Sequence, residues 1–196
     1  MKIPQLLKTI EKNRDICDIL MEYFDLEIIT PNLDVKKFNF ETSVETMIIA
    51  EDGSGGIFAL LHNEGIEDLP VYYINSEGQA GKVGENFEQF LSMIITIPYW
   101  LDLLKFSGNG QLSEMKKAQP FLLEERLEDF PKIQRVKDKI TCELSINESS
   151  YPVENLHRSL VTNSQTPIYS LDGEKMESLF QSYKPSDNPL WKDRIV

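Results

Sequence analysis

The apolar positions of the N-terminal segment follow a helical period. They recur three, four and seven residues apart at Leu6, Ile10, Cys17, Leu20, Met21 and Phe24. Residues with this spacing lie on one face of a helix, and Pro4 is suited to the first helical turn. We therefore predict one helix over residues 4–24. Residues 26–33 then end in a Thr30-Pro31-Asn32 turn.

The pattern next changes to short β-branched and apolar runs. Residues 44–50 and 57–61 are two such runs, separated by the sequence Glu51-Asp52-Gly53-Ser54-Gly55-Gly56. Gly53, Gly55 and Gly56 are predicted to form a structural turn, because glycine adopts the positive φ values that a tight turn demands. The sequence therefore predicts a β-hairpin with these glycines at its tip.

A third strand is predicted over residues 71–74, whose sequence is Val-Tyr-Tyr-Ile. Residues 75–78, Asn-Ser-Glu-Gly, form a turn that leads towards a short fourth strand around Lys82 and Val83. Strands joined by turns this short pair in antiparallel fashion. Together the four strands are predicted to form an antiparallel meander.

Helical signals dominate from Asn86 onward, since asparagine is suited to cap a helix. The apolar stripe of this helix consists of Phe87, Phe90, Leu91, Ile94 and Ile95. The helix is predicted to end at Pro98, and residues 99–104 to continue as a further helical turn or two. Residues 113–130 and 132–139 are predicted as two helices that a proline separates.

The chain becomes less regular after residue 139. Short apolar runs alternate there with Pro152, Pro167, Pro185 and Pro189. Only residues 153–160 and 173–183 are helix candidates. We therefore divide the chain into an α+β domain over residues 1–139 and a helical and irregular C-terminal extension over residues 140–196. The sequence leaves open whether this extension covers the sheet or lengthens it.

The charge of the chain favours one class of partner. The formal net charge is -12, and residues 25–77 contain 11 acids against only Lys36 and Lys37. Such a field repels nucleic-acid phosphates and anionic lipid, and it attracts a basic protein surface. We therefore expect a protein partner with a basic surface, and neither nucleic acid nor a membrane.

Hydropathy and cysteine usage point to the cytoplasm. No stretch approaches the length of a membrane-spanning helix, and the N-terminal residues show no secretion signal. Cys17 and Cys142 are far apart and have neither metal-like nor redox-like spacing. This favours two buried thiols in a reducing compartment.

Candidate catalytic residues are few. His62 and His157 are the only imidazoles, neither has the spacing of a zinc ligand, and no Gly-x-Ser-x-Gly motif is present. The glycine-rich turn lacks the Gly-Lys-Ser/Thr ending of a phosphate-binding loop and leads into a strand. We expect no cofactor, no metal and no catalysis. A hydrolase that uses His62 or His157 is a remote alternative.

The acids of residues 25–77 are better interpreted as a solvated or partner-facing surface than as acid/base or calcium-binding groups. Adjacent acids point apart on a strand, and no EF-hand spacing exists. The predicted partner-binding acids are Glu51, Asp52, Glu64, Glu67, Asp68 and Glu77. On the third strand Tyr72 and Tyr73 face opposite sides, so one tyrosine is expected to be exposed, and Tyr72 is the predicted anchor.

Three segments carry a resemblance to a known family. They are residues 53–60 (GSGGIFAL), 69–78 (LPVYYINSEG) and 86–91 (NFEQFL). In this order they resemble the SUKH superfamily, which contains bacterial immunity proteins encoded beside polymorphic toxins and a fungal cell-wall regulator. The resemblance covers residues 44–104.

The resemblance implies an α+β fold with a curved antiparallel sheet flanked by helices. It also implies binding through a concave or edge surface, without catalysis. Immunity proteins against nucleases are often acidic, because they cover a site that holds phosphate. Our first hypothesis is therefore an immunity protein that neutralises a toxin through its acidic surface. The alternative is a regulatory interaction scaffold of the same fold.

Overall fold

The computed structural model describes residues 1–62, 68–162 and 165–194. The strands are β1 (Glu27–Asn32), β2 (Phe40–Thr42), β3 (Thr46–Glu51), β4 (Ile57–Leu61), β5 (Val71–Ile74), β6 (Ala80–Gly84) and β7 (Ile168–Ser170). The helices are α1 (Gln5–Glu11), α2 (Arg14–Phe24), α3 (Phe87–Thr96), α4 (Trp100–Lys105), α5 (Leu112–Asp129), α6 (Ile133–Leu144) and α7 (Pro152–Val161). The predicted α+β class is confirmed.

The main sheet is antiparallel and has the strand order β1-β3-β4-β5-β6. At the end of the sheet where β3 turns into β4, the register aligns Glu51, Ile57, Ile74 and Ala80 across four strands. The predicted hairpin, third strand and short fourth strand are thus confirmed. β2 and β7 form a separate two-stranded ribbon, which we call the ribbon.

The N-terminal helix prediction was wrong in one respect, because residues 4–24 form two helices. The first ends at Glu11, and Asn13 caps the second, since its Oδ1 accepts a hydrogen bond from the Ile16 backbone N–H at 3.3 Å. Pro31 lies inside β1 rather than in a turn, which is possible because β1 is an edge strand.

The helices after the meander agree with the sequence predictions. Asn86 caps α3 by accepting a hydrogen bond from the Gln89 N–H at 2.9 Å, and α3 ends at Thr96, before the predicted break at Pro98. α4, α5 and α7 lie where they were predicted, and α6 continues to Leu144, beyond the predicted end. The predicted boundary at residue 139 therefore lies within α6.

The helix candidate over residues 173–183 was wrong. Gly173 has a φ of 83° and reverses the chain. The Met176 N–H then donates to the Ile168 carbonyl, and the Ala80 N–H donates to the Glu177 carbonyl, both at 2.9 Å. This segment therefore joins the ribbon to the edge of β6.

Both faces of the main sheet are covered. The helices enclose the larger core on one face, and the ribbon packs a second core on the other face around Phe40, Ile48, Tyr72 and Ile168. The segment after residue 139 contributes to both cores, through Leu160, Leu179 and Trp191 on the helical face and Ile168 on the ribbon face. Part of this segment therefore covers the sheet.

In the part of the chain that the structure describes, no helix combines the length and the apolar character needed to cross a bilayer.

Candidate functional site

Asp52 organises the turn between β3 and β4, which we call the glycine turn (residues 52–56). Its Oδ1 accepts hydrogen bonds from the Ser54 N–H at 2.8 Å, the Ser54 hydroxyl at 2.7 Å and the Gly56 N–H at 2.7 Å. Its Oδ2 accepts one from the Tyr73 hydroxyl at 2.5 Å. Hydrogen bonds to a carboxylate are the strong ones, and here they satisfy both oxygens. Asp52 therefore holds the turn together from within.

This role corrects the sequence-based interpretation of Asp52 as a partner-binding acid. The residue is only 8% exposed, and its oxygens face donors of its own chain. A carboxylate in this position is unavailable to a partner's cation unless the turn opens. The sequence contained a signal for this turn-stabilising role. An aspartate that precedes Gly-Ser-Gly-Gly is in a typical position for its side chain to accept a hydrogen bond from the backbone N–H two residues later.

Tyr73 completes the interior of the glycine turn. Its ring packs against Trp100 in an edge-on arrangement, with ring centroids 5.1 Å apart, and against Phe58 at 5.0 Å. Burial raises the pKa of the Tyr73 phenol far above its usual range, and the hydrogen bond to Asp52 raises it further. The phenol therefore remains a neutral donor to the carboxylate.

Glycine is required at the three positions of the turn for different physical reasons. Gly55 has a φ of 85°, which was the predicted conformation. Gly56 instead requires the absence of a side chain, because a Cβ there would lie less than 3.0 Å from the Tyr73 hydroxyl and the Asp52 carboxylate. A Cβ at Gly53 would lie 3.1 Å from Oδ1 of Asp25.

Tyr72 is not the exposed anchor that the sequence predicted. The two tyrosines do face opposite sides of β5, but each is only 2% exposed. Tyr72 belongs to the core under the ribbon, and its hydroxyl accepts a hydrogen bond from the Thr166 N–H at 2.8 Å. The alternation of β5 was predicted correctly, whereas the ribbon that covers the second face was not.

A group of three acids lies beside the glycine turn, and we call Asp25, Glu27 and Glu51 the acidic corner. Glu27 in β1 lies directly opposite Glu51 in β3. Asp25 ends α2 in the left-handed conformation, with a φ of 51°, and its Oδ1 accepts a hydrogen bond from the Gly53 N–H at 2.9 Å. Asp25 and Glu27 are exposed, and Glu51 is half-buried. Sequence reasoning selected Glu51 but missed Asp25 and Glu27, because β1 was not predicted as its neighbour.

The remaining predicted acids do not join this corner. Glu77 is exposed in the turn between β5 and β6, at the same end of the sheet as Glu51. Asp68 is exposed before β5, at the opposite end. Glu64 and Glu67 lie outside the described residues. The predicted set is therefore not one contiguous surface.

Other acids of residues 25–77 have cationic partners of their own. Glu45 pairs with the N-terminal ammonium group at 3.0 Å, Glu41 with Lys36 at 3.5 Å and Asp34 with Lys37 at 3.9 Å. By contrast, no ion pair of the acidic corner occurs within residues 1–62, 68–162 and 165–194. The nine other residues include no lysine, arginine or histidine. Asp68 and Glu77 likewise have no ion pair among the described residues, but the acidic corner is where three such acids lie together.

The contacts of the two histidines are with backbone carbonyls and, for His157, with an aromatic ring. Nε2 of His157 lies 2.8 Å from the Gly110 carbonyl, and its ring lies 5.6 Å from that of Phe180. The His62 N–H donates to the Glu45 carbonyl at 2.8 Å. Among the described residues, no three histidine, cysteine, aspartate or glutamate side chains are grouped so that they could hold a metal ion.

The cysteines are not paired with each other. Cys17 is half-buried and donates to the Ile10 carbonyl, whereas Cys142 is exposed. The expectation of two buried thiols is therefore wrong, because Cys142 is exposed and Cys17 is only half-buried.

Comparisons of the chain with known protein families, with curated proteins and with solved structures find no match. The resemblance to the SUKH superfamily therefore stays a prediction from the sequence.

Proposed function

We propose that this protein is a non-catalytic, cytoplasmic protein-binding module, and specifically an immunity protein of the SUKH type that neutralises a toxin with a basic surface. The acidic corner is the surface through which it acts. Two unpaired thiols support a reducing compartment, where disulfides are rare.

One observation carries this proposal, namely the position of Glu27 opposite Glu51 in the sheet. Like charges directly opposite each other on neighbouring strands destabilise a sheet by up to about 1 kcal/mol. A partner that brings lysine or arginine to this corner would relieve the repulsion, so the pair is better suited to the complex than to the free protein. Asp25, held beside them by Gly53, adds a third negative charge.

The test uses the product of the gene adjacent to the one that encodes this chain. Wild-type protein is expected to bind it, to inhibit its toxicity in cells and to lose association rate as salt is added, because charge complementarity acts mainly on the rate of encounter. The double variant Glu27→Gln/Glu51→Gln is expected to associate about tenfold more slowly at low salt.

The matched control removes two exposed acids that lie beside α3, which packs against β6 at the other edge of the sheet from β1. Glu88→Gln/Glu148→Gln changes the net charge equally but leaves the acidic corner intact. Equal loss of rate in both double variants would show that only net charge matters. Absence of binding by the wild type would contradict the proposal, and a neighbour that is not a toxin would favour the regulatory scaffold.

A further inference from the structure

A hollow of about 280 Å³ lies between the end of β6, α3 and the segment that contains α7, and we call it the α7 hollow. It is at the other edge of the main sheet from β1, and so away from the acidic corner. The buried residues that line it include Val83, Met93 and Leu156, whereas its exposed and half-buried lining residues are all polar. We call the buried part its floor and the polar part its rim. A hollow of this size and character suits a small molecule.

Two glycines of β6 let the helices around the hollow pack close to the sheet. A Cβ at Gly84 would lie 2.7 Å from the Cβ of Phe90 in α3, and a Cβ at Gly81 would lie 2.4 Å from Cδ2 of Leu160 in α7. Both distances are far shorter than a normal contact between carbon atoms, so a side chain at either position would push a helix away. The α7 hollow is therefore enclosed by two helices that pack directly on one edge strand.

The rim of the hollow is held in place by hydrogen bonds of the chain itself. The Ser92 hydroxyl donates to the Asn147 carbonyl at 2.5 Å, and the Ser149 N–H donates to the Thr96 hydroxyl at 2.8 Å. The Asn155 side-chain amide donates to the Ser149 hydroxyl at 3.1 Å. These bonds connect the loop before α7 to α3. The hollow is therefore formed in the free protein, as is usual for small-molecule sites.

Ser159 is a polar residue in the floor of the hollow, and its hydroxyl is unused. The residue is only 6% exposed, and its hydroxyl has no hydrogen-bond partner within residues 1–62, 68–162 and 165–194, since Gln165 bonds to its backbone carbonyl instead. Within the same residues, the fully enclosed side-chain nitrogen or oxygen that lacks a partner is Nε of Arg126. The Ser159 hydroxyl is therefore not enclosed but opens onto the hollow. An unpartnered hydroxyl at such a buried position is costly, and a ligand oxygen would supply its partner.

Arg158 brings a positive charge to the rim beside Ser159. It is exposed, and it has no ion pair among the described residues. Glu154, one helical turn earlier, lies 2.7 Å from the Lys116 ammonium, whose hydrogen bond lowers the pKa of Glu154, and the charge of Arg158 lowers it less. Glu85 is the acid of the rim, and its two oxygens lie 2.8 and 2.9 Å from the Lys82 ammonium. The acids around Arg158 thus have other cations as their closest partners.

The unused hydrogen-bonding groups of the hollow are donors. Arg158 has a planar fork of N–H groups and Ser159 has an O–H, whereas the carboxylate of Glu85 is already bonded to Lys82. We propose that the α7 hollow binds the oxyanion of a small molecule, a carboxylate or a phosphate, with Arg158 and Ser159 donating to its oxygens. Such oxyanions match the geometry of a guanidinium and make strong hydrogen bonds with it. The net charge of -12 repels anions at long range, so the hollow acts by local contacts alone. This site is separate from the acidic corner and does not rest on the proposed function.

The experiment titrates the isotope-labelled full chain with inorganic phosphate and with acetate and follows the backbone amide signals by NMR. Sodium chloride at the same ionic strength is the reference for screening. Phosphate or acetate is expected to give saturable shifts at the amides of Ser149, Arg158 and Ser159, where chloride gives none. Saturation by phosphate alone would assign a phosphoryl group to the ligand, and saturation by acetate alone would assign a carboxylate.

Two variants test the donors. Arg158→Gln is expected to weaken binding of the saturating probe by about tenfold and Ser159→Ala by about fivefold. Arg135→Gln is the control, because Arg135 is an exposed arginine of α6 that does not line the hollow, and it should change the affinity by less than about twofold. Ser159→Ala is also expected to leave the melting temperature unchanged or to raise it, because it removes a hydroxyl that has no partner among the described residues.

Three results would overturn the oxyanion site. The first is that neither probe gives saturable shifts beyond those of chloride. The second is that Arg135→Gln weakens binding as much as Arg158→Gln, because the probes would then respond only to net charge. The third is a melting temperature of Ser159→Ala several degrees below that of the wild type, which would mean that the hydroxyl supports the fold. Glu27→Gln/Glu51→Gln should bind the probes as the wild type does, so failure of this site leaves the proposed function intact.

Discussion

The glycine turn and the acidic corner show two opposite uses of acidic residues in adjacent positions. Asp52 is buried and surrounded by four donors of its own chain. Glu51, one residue earlier, faces Glu27 across the strand pair and has no ion-pair partner among the described residues. The first acid stabilises the fold, and the second opposes it.

The difference teaches that a count of charges does not identify a binding surface. What matters is whether the chain supplies donors to each carboxylate. Where donors converge, as at Asp52, an acid is part of the interior structure, and replacing it costs stability. Where like charges converge without donors, as at Glu27 and Glu51, removing an acid is expected to stabilise the free protein and weaken its complex.

The largest effect is expected for Gly56→Ala. The new Cβ would press on the Tyr73 hydroxyl and the Asp52 carboxylate, so the buried hydrogen bond between them must break or shift. We expect a loss of about 3 kcal/mol in the free energy of unfolding, measured by urea denaturation. Gly55→Ala is the control, since its Cβ meets nothing within 4 Å and only the positive φ of 85° opposes it. It should cost about 1 kcal/mol, and equal losses in both variants would contradict the steric role of Gly56.

The next effect separates the two neighbouring acids. Asp52→Asn keeps the shape but places an amide where the carboxylate accepts hydrogen bonds, so at least one donor among Ser54, Gly56 and Tyr73 loses its partner. We expect a loss of about 2 kcal/mol. Glu51→Gln is expected to leave the stability unchanged within about 0.5 kcal/mol or to raise it. If the two substitutions have the same effect in urea denaturation, the distinction between the hydrogen-bonded Asp52 and the unpaired Glu51 is wrong.

The stability of the protein at alkaline pH tests whether its buried tyrosines resist ionisation. Burial raises the pKa of Tyr72, Tyr73 and Tyr99 above the usual value of a tyrosine, and hydrogen bonding to Asp52 raises the pKa of Tyr73 further. A raised pKa means that the folded protein holds these protons more tightly than the unfolded chain. The stability from this source is therefore complete below pH 10 and falls as the pH rises further, by about 1.4 kcal/mol per pH unit for each such phenol.

Tyr73→Phe removes one of these phenols, so its stability should fall less steeply than that of the wild type above pH 10. The measurement is urea denaturation at a series of alkaline pH values, and the slopes are compared rather than the absolute stabilities. Tyr151→Phe, at a position 66% exposed, serves as the control. Parallel slopes for the wild type and Tyr73→Phe would show that Tyr73 ionises as readily in the folded protein as in the unfolded chain.

Local signals explain what the sequence predicted well. Asn86 and the apolar stripe after it define α3, and the glycines between two apolar runs define the β3–β4 hairpin. Asn13 was missed because a polar residue at that position fits a continuous helix as well as a cap. Such features depend on a few neighbouring residues, and there the helical and strand periods are informative.

The remaining features depend on contacts between distant parts of the chain. The ribbon joins residues 40–42 to residues 168–170, and it buries Tyr72, which alternation alone left free to be exposed. The acidic corner likewise depends on the register of β1 with β3, which brings Glu27 opposite Glu51. No local pattern specifies these pairings, so Asp25 and Glu27 could not be predicted from the sequence as residues of the candidate site.

The smallest expected effect concerns the acidic corner in the free protein. Glu27→Gln removes the repulsion with Glu51 and should raise the free energy of unfolding by about 0.5 kcal/mol at low salt. Added salt screens exposed charges, so the difference from the wild type should shrink as the salt concentration rises. Asp68→Asn, at the other end of the sheet, is the control for net charge. Urea denaturation at low and high salt measures both variants. A loss of stability in Glu27→Gln would mean that Glu27 contributes to the fold, and the acidic corner would then resemble the glycine turn rather than oppose it.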